Sequence, residues 1–190
     1  MAVNIPANYE PLNFTFGPGV LSLVALTVNS GTVTEATDLV EIGGQRSGAT
    51  FAVTRTRLDV NQGSPITLVK QFVTQEEATL TVNGIEWDLD KLRLALGAGV
   101  VVTAGNPDTF GFGGDLNIVE CAAKYVHVMP SGYTLSLRIW RAQGAGELNV
   151  TFGDDLHEIP YSFRALQATQ KWGGTTLGTK EQLFQITLTK

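Results

Sequence analysis

The stretch NGIEWDLDKLRLALG, residues 83–97, is the one place in this chain where apolar residues recur at a helical period. Ile85, Leu89, Leu92 and Leu96 are spaced four, three and four apart, which lines them up along one helix stripe. The spacing predicts a helix over about 84–96. Asn83 is placed to cap it, with Glu86 reaching back from three residues on. Asp88 and Asp90 fall toward the positive end of the helix dipole, Lys91 and Arg93 toward the negative end. Gly97 suits the left-handed turn that ends a helix. On either side the period changes to two, as in strands with one face buried. A lone helix in such a chain covers a face or an edge of a sheet. The expected fold is therefore mainly β: a two-sheet antiparallel β-sandwich or partly closed barrel flanked by this one α-helix.

The length suits a single domain, residues 1–190, with a sizeable core. Charged residues make up only 16% and glycines number 21, as tight turns between many short strands require. A net charge of −5 excludes a basic, counterion-displacing nucleic-acid surface. No Lys or Arg precedes Arg46, whereas Glu10, Glu35, Asp38 and Glu41 fall in that stretch. Cys121 is the only cysteine, so no intrachain disulfide forms. The apolar run 20–28 is too short to span a bilayer and has no basic residue before it. A protein made and folded in a cytoplasm, without a signal peptide or membrane partner, is expected.

Residues 1–18 carry three aromatics, Tyr9, Phe14 and Phe16, and are expected to be an arm that docks on another surface. The 50–60 stretch (TFAVTRTRLDV) is anomalous. Phe51 and Val53 share one face, but Leu58 and Val60 share the other. Either a bulge near residues 55–57 restores one buried side, or both faces meet protein. A turn at 61–65 follows, then a strand over 66–73 and 78–82 with a kink at Glu76-Glu77. The second half alternates cleanly. Strands are expected around Tyr133–Ile139, Leu148–Phe152, Ile159–Phe163 and Phe184–Leu188. Residues 167–180 (QATQKWGGTTLGTK) form a polar insertion bearing Trp172.

No catalytic or metal-binding set is legible, and no enzyme activity or cofactor is expected. His127 sits in an apolar strand and His157 follows Asp154-Asp155, without the convergent partners of a triad or a metal site. GGTTLGTK at 173–180 inverts the Lys-Ser/Thr order of a phosphate loop and has no strand-to-helix setting. Cys121 lies among apolar neighbours as a core residue.

Three segments resemble the tailed-bacteriophage major tail protein (tail tube) family. Phe16-Gly17-Pro18-Gly19-Val20-Leu21 resembles the family's FGPG-hydrophobic-Leu entry. The strand running into residues 83–97 is similar to its strand-then-helix. His157-Glu158-Ile159-Pro160-Tyr161-Ser162-Phe163-Arg164-Ala165-Leu166 resembles its C-terminal strand. In two respects the chain departs from the family: the turn at 61–65 is shorter than its stacking loop, and the 167–180 insertion has no counterpart.

The resemblance implies a virion protein that assembles with itself into hexameric rings through sheet-to-sheet pairing. Those rings stack into a tube that conducts double-stranded DNA without binding it specifically, alongside a tape-measure protein and other tail proteins. On that expectation Tyr9, Phe14, Phe16 and Trp172 are candidates for self-assembly contacts. Thr54, Thr56, Thr79 and Thr81 are candidates for the lumen, whose wall is anionic if the acids face inward. The alternatives are a ring-forming tube initiator or terminator, a secretion-system tube protein, or, from another class, a monomeric ligand-binding β-barrel with Tyr133 and Trp140 lining its cavity.

Overall fold

A computed structural model of the chain describes residues 19–27, 30–114, 116–150 and 157–190, the side chains of Arg46 and Ser47 excepted. It is mainly β with one helix: a large antiparallel sheet and a small second one. The large sheet is built from β1 (Val20–Ala25), β2 (Val40–Glu41), β3 (Gln45–Gln62), β4 (Thr67–Gly84), β7 (Glu120–Val128), β8 (Thr134–Gly144), β9 (Ile159–Ala165) and β10 (Phe184–Thr189). The small one pairs β5 (Val100–Val102) with β6 (Thr109–Gly111).

The large sheet runs β2-β1-β7-β8-β9-β4-β3. Its first and last strands, β2 and β3, are consecutive in the chain and joined only by residues 42–44. So short a link forces the sheet to curl until its two margins approach, yet β2 and β3 do not pair and the barrel stays open. The concave side holds the main core, in which Leu21, Leu80, Ile139, Tyr161 and Phe163 are wholly buried. Inward residues alternate with outward ones along each strand, the pattern that one buried face imposes.

The helix α1 (Leu89–Leu96) closes this core, and it starts later than its spacing predicts. Asp88 is the N-cap, its carboxylate accepting from the Asp90 and Lys91 amides; Asn83 is not. Residues up to Gly84 are held in the sheet between Gln45 and Ile159, and that pairing outcompetes local helix preference. Glu86 accordingly accepts from the Gly44 amide at 2.9 Å instead of completing a cap. The C-terminus is as expected: Gly97 adopts φ 70° and donates to the Leu94 carbonyl.

Other strands also differ from expectation. β4 continues unbroken through Glu76-Glu77. Leu148 and Val150 lie outside any strand, and Phe152 lies outside the described residues. Val101 and Phe110 pair across β5 and β6, which form a short ladder of their own.

The last turn of α1 rests directly on the end of β8. A side chain at Gly144 would collide with the Ala95 carbonyl, so only glycine lets the two backbones meet. Replacing Gly144 by Val should cost about 1–3 kcal/mol, as overpacking of a filled site does. Gly105→Ala, where an added methyl meets nothing within 4 Å, should leave stability unchanged. Urea unfolding midpoints of the two variants check the contrast.

Candidate functional site

The feature that a self-contained domain leaves unexplained is the outer half of the β3–β4 hairpin. Both strands are 18 residues long, but only the end near Gly84 belongs to the body. Residues 52–76 are exposed throughout, on both faces. At strand rise this arm extends roughly 35 Å from its base. It is also apolar. Leu58, Val60 and Phe72 are exposed on one face, Val53, Leu68 and Val73 on the other, and Ile66 near the turn is 77% exposed. A two-stranded ribbon with neither face covered is at best marginally stable in water.

The register shift expected near residues 55–57 is present, but the extra residue lies on the partner strand. Thr56 pairs with Gln75 and Arg57 with Val73, leaving Thr74 over. β3 therefore keeps strict alternation, and its apolar side changes from the Phe51 face to the Leu58 face along its length. Among the described residues, nothing covers either face of the outer half. Arg55 pairs with Glu76 across the ribbon, and Arg57 donates to the Gln71 amide oxygen at 3.3 Å.

The four threonines singled out from sequence lie on one face. Thr81 pairs with Thr50 and Ser162, Thr79 with Ala52 and Arg164, Thr54 with Glu77, and Thr56 with Gln75. All of these side chains stand on the convex side, away from the core residues Ala78, Leu80 and Val82. The Thr81 and Ser162 hydroxyls bond at 3.1 Å, and Glu77 pairs with Arg164 at 3.1 Å. The face is thus one of hydroxyls and amides with its central charges paired, not a strongly anionic wall.

The rest of the convex side is covered by the chain itself. Trp172, expected as an exposed aromatic, is only 9% exposed and belongs to a second core with Val33, Ala122, Trp140, Ala168 and Leu177. Its ring meets Trp140 edge-on at 5.4 Å, and its N–H donates to the Trp140 carbonyl. The Trp140 N–H in turn donates to the Glu181 carbonyl at 3.0 Å. The polar insertion is therefore a lid on the sheet, not a loop held out for a partner. Trp140, expected to line a ligand cavity on the barrel alternative, is 3% exposed and fills this second core. Tyr9, Phe14 and Phe16 lie outside the described residues.

Electrostatics pin the same cover lower down. Glu35 accepts from Arg138 at 3.0 and 3.1 Å and pairs with Lys124 at 2.8 Å, fixing the 30–39 segment to β7 and β8. Partial burial pushes the Glu35 carboxyl up, but the bonds to Arg138 and Lys124 outweigh it and hold the group below its ordinary value. Cys121 is wholly buried, and burial with the neighbouring Glu120 charge pushes its thiol up to about 12, so it is inert at neutral pH.

Comparison with known proteins finds no family model that matches the chain and no similar curated protein.

Sequence reasoning named the arm's turn and missed the arm. The available signal was the apolar residues on both parities of 50–60, which one-sided burial cannot produce, within two runs far longer than ordinary strands.

A carboxyl held below its unfolded value stabilises the fold above that unfolded value, and the contribution is lost as pH falls through the folded one. Glu35→Gln should therefore lower stability at pH 7 and flatten its decline between neutral pH and the acid range. Thermal melts of both proteins across that range check the sign, and parallel declines would contradict it.

Proposed function

We propose that this chain is a structural, non-enzymatic subunit that assembles with copies of itself into rings and a tube of the phage-tail type, through which double-stranded DNA passes. The observation that carries this reading is the arm. A long ribbon with apolar side chains exposed on both faces is a standing aggregation hazard unless other chains complete it. The seven exposed residues named above offer roughly 700 Å2, close to the roughly 800 Å2 that one partner contributes to a stable interface.

The resemblance in residues 16–21, 83–97 and 157–166 gives this self-association its direction: hexameric rings, a tape-measure partner and a place in the virion tail. The bare convex face carrying Thr54, Thr56, Thr79 and Thr81 is the proposed lining of the bore. With few cationic contacts to offer phosphate, such a wall lets DNA move without being held. Contacts that close give rings, and contacts that repeat along an axis give a filament.

Negative-stain microscopy of concentrated protein should show open-ended tubes. A variant with residues 56–75 replaced by an Asn-Gly turn, which Arg55 and Glu76 then flank as a pair, should remain folded and fail to form them, because the body's core does not involve that segment. A chain that stays monomeric at every concentration, or tubes formed equally well by the shortened variant, would overturn the proposal. Isolated rings would place the chain with tube initiators and terminators instead.

A further inference from the structure

The sheet is split on one side of β8. β9 pairs with the C-terminal end of β8, and β10 pairs with the N-terminal end along the same margin. β4 follows β9 only as far as Thr79 and then departs as the arm. Among the described residues β10 pairs with β8 alone, so its other edge is open, and so is the edge of β4 below Thr79. Between these two edges lies a groove of about 970 Å3. Val53, Val73, Leu183 and Phe184 are its apolar lining, and the remaining residues, the majority, are polar or charged, Arg55 and Glu76 among them. The Phe51 ring meets Phe184 edge-on at 4.9 Å and seals the end nearest the core. Beyond it, Ile186 and Leu188 are exposed on the concave side, 52% and 39%, in line with the buried Ile139 and Leu137 face.

We infer that this groove and the β10 edge beside it are the seat for the arm of a second copy, which lays its free β3 edge along β10 and brings its exposed apolar side chains beside Ile186 and Leu188. This rests on the self-assembly proposed above and names the surface that receives the arm. The two surfaces have matching needs. Among the described residues the arm has an unpaired strand edge and exposed apolar side chains; β10, beside the groove, has an unpaired edge of six residues and an apolar row that continues the core. An added strand satisfies both edges with backbone hydrogen bonds, and alternate side chains fill the groove. The arm cannot serve its own groove, because its base forms one of the walls. Each copy is therefore donor to one neighbour and acceptor to another, a head-to-tail contact that closes into a ring or continues as a filament.

The test uses Leu58→Cys and Ile186→Cys, both at exposed positions, with the buried Cys121 silent and the unsubstituted protein as blank. Each variant alone and an equimolar mixture are treated with a flexible bis-maleimide, which tolerates any register. The mixture should give at least tenfold more cross-linked dimer than either variant alone, and the double variant should give a ladder. Dimer formed by Leu58→Cys alone at the level of the mixture would mean that arms meet arms, and would overturn the inference. Tubes with no cross-link in the mixture would overturn it while leaving the proposed function standing. Absence of any self-association would remove both.

Discussion

Strand β4 passes without a break from the protein's interior into solvent, and the rest of the architecture follows from that passage. Between Ala78 and Gly84 it is clamped by β3 on one side and β9 on the other, with Ala78, Leu80 and Val82 wholly buried. Below Ala78 the same strand has only β3 for company and no buried side chain. A ladder anchored so firmly at one end holds the free end in register, which an isolated hairpin of that composition could not do for itself. The body thus acts as a mount that presents an apolar ribbon in a fixed direction.

The two sides of the sheet divide the remaining work. The concave side is sealed by α1 and by the curl that brings β2 and β3 together. The convex side is covered over β1, β7 and β8 by the 30–39 segment and the Trp172 lid, each tied down by named contacts: the Glu35 carboxylate between two cations, and two indole N–H groups on carbonyls. Over β9 and the inner halves of β4 and β3 the convex side is bare, and there threonine, serine and glutamine side chains stand beside a paired charge. Cover and composition agree, strip by strip, which is what consistency between sequence and fold looks like at residue level.

Much of this was legible beforehand. Alternation identified β8, β9 and β10, the Gly97 cap ended the helix where expected, and parity alone put Thr54 with Thr56 and Thr79 with Thr81, the register between β3 and β4 joining the two pairs on one face. What was not legible depended on partners distant in sequence. Asn83 looks like a cap until Ile159 and Gln45 bring the ladder alongside it. Trp172 looks exposed in a polar segment until Trp140 and Ala122, outward-facing on β8 and β7, supply an apolar patch for it. The arm escaped notice because apolar residues on both parities of 50–60 fit a bulged, one-sided strand as well as an uncovered ribbon, and only the neighbouring strands decide between them.

The central claim is that residues 52–76 are uncovered in one chain and become covered by others. Amide hydrogen exchange followed across a wide range of protein concentration measures this directly. The account predicts that the arm exchanges quickly in dilute solution and becomes protected as concentration rises, while β7, β8 and β9 stay protected throughout. Protection of the arm that is the same at every concentration would contradict it.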